Sequence, residues 1–415
     1  MSLAKELENR GFIHQVSSPS LTEIVDGEKR TIYHGIDPSA DSAHAGNFVI
    51  WMLLRHLALA GHKIVFLVGG GTGMIGDPKP DAERQLKPLE DVAKNVAGLK
   101  AQAERFFAGT EIEFVDNATW LTEIKLIDFL RDIGKHYTVN ELIKKDAIAT
   151  RLSSDTGLSY TEFAYPILQG YDFLRLFEDK NVTVQVGGSD QWGNIVSGVE
   201  LVRRKKQTEV FAVTVPLIID KATGKKFGKS EGNAVWLDAA KTSPYQFYQF
   251  WLNVSDDSVI EHLKRFTFLP LEEIAGIEQV QQENPGARAA QRKLALGVTT
   301  LVHGVGAATA AEEVSQILFG GGDVMSLSDA AVAMIIENAP KVTVIHQQSL
   351  VEVLVASALA KSNREARTFI EEGAITINGN KITTVDAVVD RSDANKGIAL
   401  LKRGKKQFCV MQFSN

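Results

Sequence analysis

Thr223-Gly224-Lys225-Lys226-Phe227-Gly228-Lys229-Ser230-Glu231-Gly232 sets Lys226 and Lys229 three apart among glycines. Such a loop suits closure over a polyphosphate. Each ammonium is a point charge on a flexible stem and offsets charge that builds on a leaving group. Taken alone, an exposed basic hairpin is the plainer reading. A second cluster, Asp37-Pro38-Ser39-Ala40-Asp41-Ser42-Ala43-His44-Ala45-Gly46-Asn47, lies between a strand pattern and a helix pattern. The first amides of a helix are unpaired and its dipole is positive there, so that end favours a phosphate. His44 and Asn47 are three apart and can face one ligand, and Gly46 leaves room for a purine or ribose. A lone histidine at a helix start is more often structural. A third stretch, Gly71-Thr72-Gly73-Met74-Ile75-Gly76, matches G-x-G-x-x-G after a strand. Pro78 stands where that motif needs a running helix, and the acids further on, Glu90 and Asp91, lie in a helical pattern. A nicotinamide site is therefore not expected. The glycines still form a side-chain-free turn, with Asp77 at its edge as a carboxylate for an ammonium or as a turn acid.

These clusters need elements to hold them. Residues 30–36 read as a strand, 46–60 as a helix, 63–69 as a buried strand ending in glycines, and 182–188 repeats the strand-and-glycine pattern. The rhythm predicts an α/β fold, a Rossmann-type doubly wound parallel sheet with ligands above the carboxyl ends of its strands. Residues from about 90 to 180 read as a helical insertion. The expected division is a catalytic domain over 1–236, a helical domain over 237–319, a linker over 320–346 opened by Gly320-Gly321-Gly322, and a small α+β unit over 347–415. In that last unit Ser362-Asn363 caps a helix to Glu372, and Asn378-Gly379-Asn380 joins two short strands as a hairpin.

Composition narrows the classes. Hydrophobic residues are 44% and charged residues 23%, as in ordinary globular proteins. No apolar run is long enough to span a membrane, the charged start MSLAKELENRGF does not read as a signal peptide, and the lone Cys409 excludes a disulfide framework or a cysteine-rich zinc site. A cytoplasmic protein is expected. The net charge of −6 hides an asymmetry, because residues 347–415 hold ten Lys and Arg against seven Asp and Glu. A basic tail on an acidic body suggests an RNA- or phosphate-facing module.

Together, the His44-x-Gly46-Asn47 cluster and the Lys226-Phe227-Gly228-Lys229-Ser230 loop resemble the class I aminoacyl-tRNA synthetases. The segments 67–78, 161–174 and 185–194 are similar to the tyrosyl branch of that family, and the final unit resembles an S4-type RNA-binding domain. The resemblance covers nearly the whole chain. It implies activation of L-tyrosine by ATP, transfer to tRNA(Tyr), Mg2+ bound through the ATP phosphates, and a homodimer. Tyr160 and Phe163 are then candidate interface residues. It assigns Tyr33 and Asp172 to the tyrosine phenol, Asp77, Tyr165 and Gln169 to the ammonium, Gln191 to the carboxyl side, and Gln185 to pocket support. Toward ATP it assigns Asp190 to the ribose and Gly46 and Gly188 to adenosine, with Gly35, Asp37 and Ser39 nearby. His44, Lys226, Lys229 and Ser230 surround the leaving pyrophosphate, with Arg84 joining from the loop after Asp77, and Asn47, Phe227 and Gly228 belong to the same ATP site. Toward tRNA it points to Arg203 and Arg204 at a helix end, and to Arg364, Arg367 and Lys381 in the tail. Asn47 stands where the family usually has histidine, and the loop 79–84 is more acidic than the family pattern. A catalytically silent RNA-binding protein on the same scaffold is the alternative; it is disfavoured by the intact lysine loop and Asp190. The tryptophanyl enzymes lack the phenol-reading pair and the S4-type tail.

Overall fold

The computed structural model describes all residues except 79–81, 84, 155–156, 220–223, 225–226, 228, 231–232, 321–323, 405–406 and 415, and the side chains of 229, 230 and 233. The chain divides into two units, residues 1–238 with 255–285, and residues 239–254 with 286–415. The expected boundary near 237 is thus crossed twice, because 255–285 belongs with the first unit.

The first unit is built on a six-stranded sheet. Its strands are β1 (Gln15–Val16), β2 (Thr31–Ile36), β3 (Lys63–Val68), β4 (Ile112–Asp116), β5 (Val182–Gly188) and β6 (Phe211–Val215), in the order β1-β6-β5-β2-β3-β4. All neighbours are parallel except β1 with β6. From β2 the chain winds outward through β3 and β4, and later from β5 outward through β6. The reversal falls between β2 and β5, and the crevice at their carboxyl ends is where such sheets bind ligands. β3 is buried at every position but its first, as a central parallel strand must be. The stretch read as a helical insertion in fact contributes β4 to the sheet. Its alternation, Ile112-Glu113-Phe114-Val115-Asp116, is short and half exposed, so its strand signal is weak against the helices on both sides.

Four helices set the walls: α1 (Ala45–Leu59), α2 (Leu89–Phe106), α3 (Tyr160–Lys180) and α4 (Trp192–Lys206). α1 is apolar almost all round, with Phe48, Trp51, Met52, Leu53 and Leu54 fully buried. α2 holds the segment before α1: Asn95 donates to the Pro38 carbonyl at 2.9 Å, and the Gln102 side-chain oxygen accepts the Ala43 N–H at 2.8 Å. α3 and α4 cross closely where Gly170 meets Gly198.

In the second unit α5 (Pro244–Leu252), α6 (Ala289–His303) and α7 (Val305–Ser315) pack together. The stretch 320–346 is not a linker. It carries α8 (Asp329–Asn338), whose Ala331, Val332 and Ile335 are buried, and strand β7 (Lys341–Val344). The glycines at its start suggested a break, but the apolar spacing of Ala331, Val332 and Ile335 is that of a packed helix. After α9 (Leu350–Ala356) and α10 (Asn363–Glu371) come β8 (Ile375–Ile377), β9 (Asn380–Ile382), β10 (Ile398–Arg403) and β11 (Gln407–Phe413). The sheet order is β9-β8-β10-β11-β7, with only β11 and β7 parallel. Alternate residues face opposite layers: Leu400 and Val410 meet Ile317 and Ala331, whereas Leu401 and Met411 meet Leu354 and Ile370. The β8–β9 turn has Asn378 at φ 47 and Gly379 at φ 84, the pair a two-residue hairpin requires.

Candidate active site

A cavity of about 400 Å³ opens at the carboxyl ends of β2 and β5. Its lining includes Tyr33, Gly35, Asp37, Ser39, His44, Gly46, Asn47, Asp77, Tyr165, Gln169, Asp172, Gln185, Gly188, Asp190, Gln191 and Phe227. The sequence-derived tyrosine and ATP residues therefore meet in one place. Lys226 and Gly228, like Arg84, lie outside the described residues, as do the side chains of Lys229 and Ser230.

At the deep end Asp172 is 3% exposed, and its carboxylate accepts from Asn117 Nδ2 at 2.9 Å and Trp120 Nε1 at 2.8 Å. Burial pushes its carboxyl up to about 7, against those hydrogen bonds and with Asp37 and Asp116 adding to the rise. Tyr33 lies edge-on to Phe173, ring centroids 5.2 Å apart. Burial, and after it the Asp172 charge, raises the Tyr33 phenol well above its ordinary value, so it stays a neutral hydroxyl. Asn117 and Trp120 were not foreseen. They follow β4, the strand the sequence hid. The Asn117 oxygen also takes the Gly71 N–H at 2.8 Å, and Asp116 takes that of Gly70 at 3.1 Å. The glycine turn is thereby fixed from behind. Its first amides are occupied, the turn carries only a single 3-10 turn at Thr72–Met74, and among the described residues the next α-helix starts at Leu89, which does not match the dinucleotide geometry.

Toward the middle, the Tyr165 hydroxyl donates to Asp37 at 2.7 Å, and Thr72 donates to the other Asp37 oxygen at 2.8 Å. Asp77 accepts from Gln191 at 2.9 Å and Asn194 at 3.2 Å. Tyr165 is thus bonded to Asp37, and Asp77 is held separately from α4. Asp190 sits over Gly188, where an added Cβ would lie 2.6 Å from its carboxylate. Four buried polar atoms of lining residues have no hydrogen-bond partner among the described residues: the Tyr33 hydroxyl, His34 Nε2 and the side-chain oxygens of Gln169 and Gln185. Uncompensated burial of this kind is costly, so a bound ligand with matching groups gains from each. His34 is a further lining residue. Its Nδ1 bonds the Val186 carbonyl at 3.0 Å, and burial lowers it to about 4, so it stays neutral.

At the outer end His44 is the N-cap of α1. Its Nδ1 accepts the Gly46 N–H at 3.0 Å, and the Asn47 oxygen accepts the His44 N–H at 3.2 Å. This reciprocal cap ties up one end of the Asn47 amide and leaves its nitrogen as the donor. Gly46 is required by closeness: a Cβ would meet the His44 ring at 2.9 Å and the Phe227 carbonyl at 3.2 Å. Phe227 is 6% exposed, and its ring packs on His262 at 4.6 Å and near Phe266 at 6.0 Å. On the other side of the lysine loop, Ala45 and Leu237 bond Val235 and Ala43, setting Trp236 beside His44.

The tRNA candidates divide. Arg203 and Arg204 are engaged within the protein by Glu200, and Lys206 pairs with Glu178 at 2.6 Å. The helix-end run is therefore largely neutralised, and an RNA phosphate there competes with these pairs. Arg364, Arg367 and Lys381 are exposed on the second unit. Lys402 instead donates to the carbonyls of Ile317 and Leu318, and Arg403 stacks over Phe369.

A crevice at the sheet's switch point, a capped histidine at a helix start and a lysine signature beside it define a class I aminoacyl-tRNA synthetase fold. The class I tRNA synthetases (W and Y) match residues 26–320, and the tyrosine–tRNA ligase SYY-like C-terminal domain matches residues 331–411. The chain is 46% identical to the tyrosine–tRNA ligase of Lactococcus lactis subsp. lactis over the full length of both, and likewise 46% to that of Streptococcus uberis. A C-terminally truncated mitochondrial tyrosyl-tRNA synthetase from Aspergillus nidulans superposes with a TM-score of 0.70 at 31% identity, covering 77% of this chain and 94% of that one. The chain belongs to the tyrosine–tRNA ligase family.

Proposed function

We propose that the chain activates L-tyrosine with ATP and transfers it to tRNA(Tyr), with the cavity as the site of both steps. The observation that carries this reading is the buried Tyr33–Asp172 end of the cavity, which offers a phenol both a hydroxyl partner and a carboxylate acceptor. Phenylalanine brings no donor there and leaves that carboxylate buried without a ligand partner. The substrate ammonium lies among Asp77, the Tyr165 oxygen and Gln169, with Gln191 beside the carboxyl and Gln185 behind. ATP spans Asp190 and Gly188 at the ribose, Gly35, Asp37 and Ser39 at its side, and the α1 N-terminus at its phosphates. The tyrosine carboxylate, already ionised, attacks the α-phosphorus; the bond to the β-phosphate oxygen breaks and pyrophosphate leaves. His44, Asn47, Lys226, Lys229 and Ser230 stabilise charge on the transferring and leaving groups, so catalysis is positioning and electrostatics. Mg2+ would be held mainly by the ATP phosphates and water, where it offsets their charge. In the second step the terminal ribose hydroxyl of tRNA attacks the carbonyl of the mixed anhydride and AMP leaves.

The exposed Arg364, Arg367 and Lys381 supply the tail's contact with RNA phosphates. A second copy of the chain covers exposed apolar residues of the stretch before and at the start of α3, Leu126, Ile127, Val139, Leu152 and Tyr160, each more than half exposed. A sedimentation mass of one chain at micromolar concentration removes that part of the reading. No described helix is long and apolar enough to cross a membrane, and the reading is of an enzyme working in the cytoplasm beside the tRNA it charges. Tyrosine-dependent exchange of labelled pyrophosphate into ATP tests the activation step; an absence of exchange supports the catalytically silent alternative.

A further inference from the structure

The glycine turn after β3 carries a chain of buried hydrogen bonds along the cavity wall. Asn117 and Thr72 are 0% and 3% exposed. The Asn117 oxygen accepts the Gly71 N–H at 2.8 Å, which fixes the way its amide points. Its nitrogen then donates twice, to the Asp172 carboxylate at 2.9 Å and to the Thr72 hydroxyl oxygen at 3.0 Å. A flipped amide would turn an oxygen toward that buried carboxylate. With an N–H donor already aimed at its oxygen, the Thr72 hydroxyl sends its own proton on to Asp37 Oδ1 at 2.8 Å. The other Asp37 oxygen takes the Tyr165 hydroxyl at 2.7 Å. An unbroken chain therefore runs from the carboxylate at the deep end of the cavity to the carboxylate at its middle. Gly69 leaves the space for it: a Cβ there would lie 2.3 Å from the Thr72 hydroxyl and 2.5 Å from Asp37 Oδ1.

A fully paired polar network of this kind rigidifies its surroundings and specifies one geometry. Apolar side chains could fill the same space, but they could not fix two carboxylates relative to one another through directed bonds. We propose that Thr72 is a positioning residue for the activation step: aligned by Asn117, its hydroxyl sets Asp37 relative to Asp172, and so sets the ATP side of the cavity relative to the phenol end. Tyrosine gripped at Asp172 then has its carboxylate held in register with ATP beside Asp37, and register of reacting groups is what the rate depends on. Phenylalanine has no donor for Asp172, so that end of the chain does not place its reacting group. Discrimination against it therefore falls on the rate of activation as well as on binding. This inference rests on the reading of the cavity as the tyrosine-activating site.

The test compares Thr72→Val, which removes the hydroxyl at nearly constant volume, with Thr72→Ser, which keeps it. Each folded variant is measured for single-turnover adenylate formation with tyrosine and with phenylalanine, and for tyrosine affinity. In Thr72→Val the tyrosine rate falls about 10- to 100-fold, the worth of one hydrogen bond to a charged group, while the phenylalanine rate falls less than about threefold. Tyrosine affinity stays within about threefold, and Thr72→Ser stays within about threefold of the wild type in every measurement. A wild-type tyrosine rate in Thr72→Val overturns the proposal. So do equal losses for the two amino acids, a loss carried wholly by tyrosine affinity, or a serine variant as slow as the valine one. If Thr72→Val does not fold, Thr72→Ala removes the same hydroxyl without setting a methyl against Asp37, and the same outcomes decide. A wild-type protein without tyrosine-dependent pyrophosphate exchange overturns the activation reading instead, whereas an active wild type matched by its hydroxyl-free variant overturns this inference alone.

Discussion

Asp172→Asn gives a test in which stability and specificity move in opposite directions. The folded protein holds the Asp172 carboxyl up at about 7, chiefly through burial. In the unfolded chain the same group titrates near its ordinary value of about 4. Between those values the folded state binds the proton more tightly, so this group's contribution to stability is full below about pH 4 and declines as pH rises toward 7. Integrating the difference in bound protons from pH 5 to 8 gives about 2–3 kcal/mol lost by the wild type relative to a neutral residue. Asparagine carries its own cost. Both carboxylate oxygens accept from donors, Asn117 Nδ2 and Trp120 Nε1, so the new amide nitrogen must face one of them. That mismatch costs about 1–3 kcal/mol and does not depend on pH, so it cancels when two pH values are compared. Urea unfolding of both proteins at pH 5 and 8 should show the stability gap shifting toward the variant by about 2–3 kcal/mol at the higher pH. Saturating tyrosine should shrink the shift, because the phenol donor favours the carboxylate. The variant should also activate tyrosine more weakly and prefer it less over phenylalanine. Parallel stabilities at the two pH values would refute the reasoning about burial, whatever the kinetics show.

Other outcomes follow from the same site. Lys226→Ala and Lys229→Ala should each slow tyrosyl-adenylate formation by about 10²-fold with tyrosine affinity nearly unchanged; wild-type single-turnover rates would remove the lysines from the mechanism. Asn47→Asp keeps the acceptor that caps α1 but has no N–H donor, so melting temperature should hold while the activation barrier rises by at least about 1 kcal/mol; a lower melting temperature with an unchanged rate would make Asn47 purely a capping residue. Arg364→Ala/Arg367→Ala/Lys381→Ala should leave pyrophosphate exchange intact. It should weaken tRNA binding and flatten its logarithmic salt dependence by about 2–3, against which equal salt slopes for variant and wild type would count.

The parts of this fold that the sequence displays are those where local chemistry and long-range packing agree. β2, α1, β3 and β5 are long or strongly apolar, and the glycine that ends a strand or opens a helix marks each boundary. The cavity residues follow because they sit at those boundaries. Two kinds of information stay hidden. β4 is short and half exposed, and with it went Asn117 and Trp120, whose role depends on partners 55 and 52 residues away. Glycines around 320 imitate a linker, although Ala331, Val332 and Ile335 are spaced for a packed helix. Charge runs were the least informative signal: Arg203 and Arg204 are engaged by Glu200, a residue of the same helix, whereas Arg364 and Arg367 stand exposed.

The strand order of the second unit bears on how the chain is made. Among the described residues β7 pairs with one strand, β11, through Lys341↔Val410 to Val344↔Phe413. On a ribosome β7 emerges roughly 70 residues before that partner, and at about 5–20 residues per second it waits several seconds. Until β11 is synthesised, β10 and β7 cannot become members of one sheet, and both faces that depend on Val410 and Met411 remain open. The exposed arginines of α10 are thus carried on a scaffold completed by residues 407–413, so a chain released early presents the cavity without a finished tail.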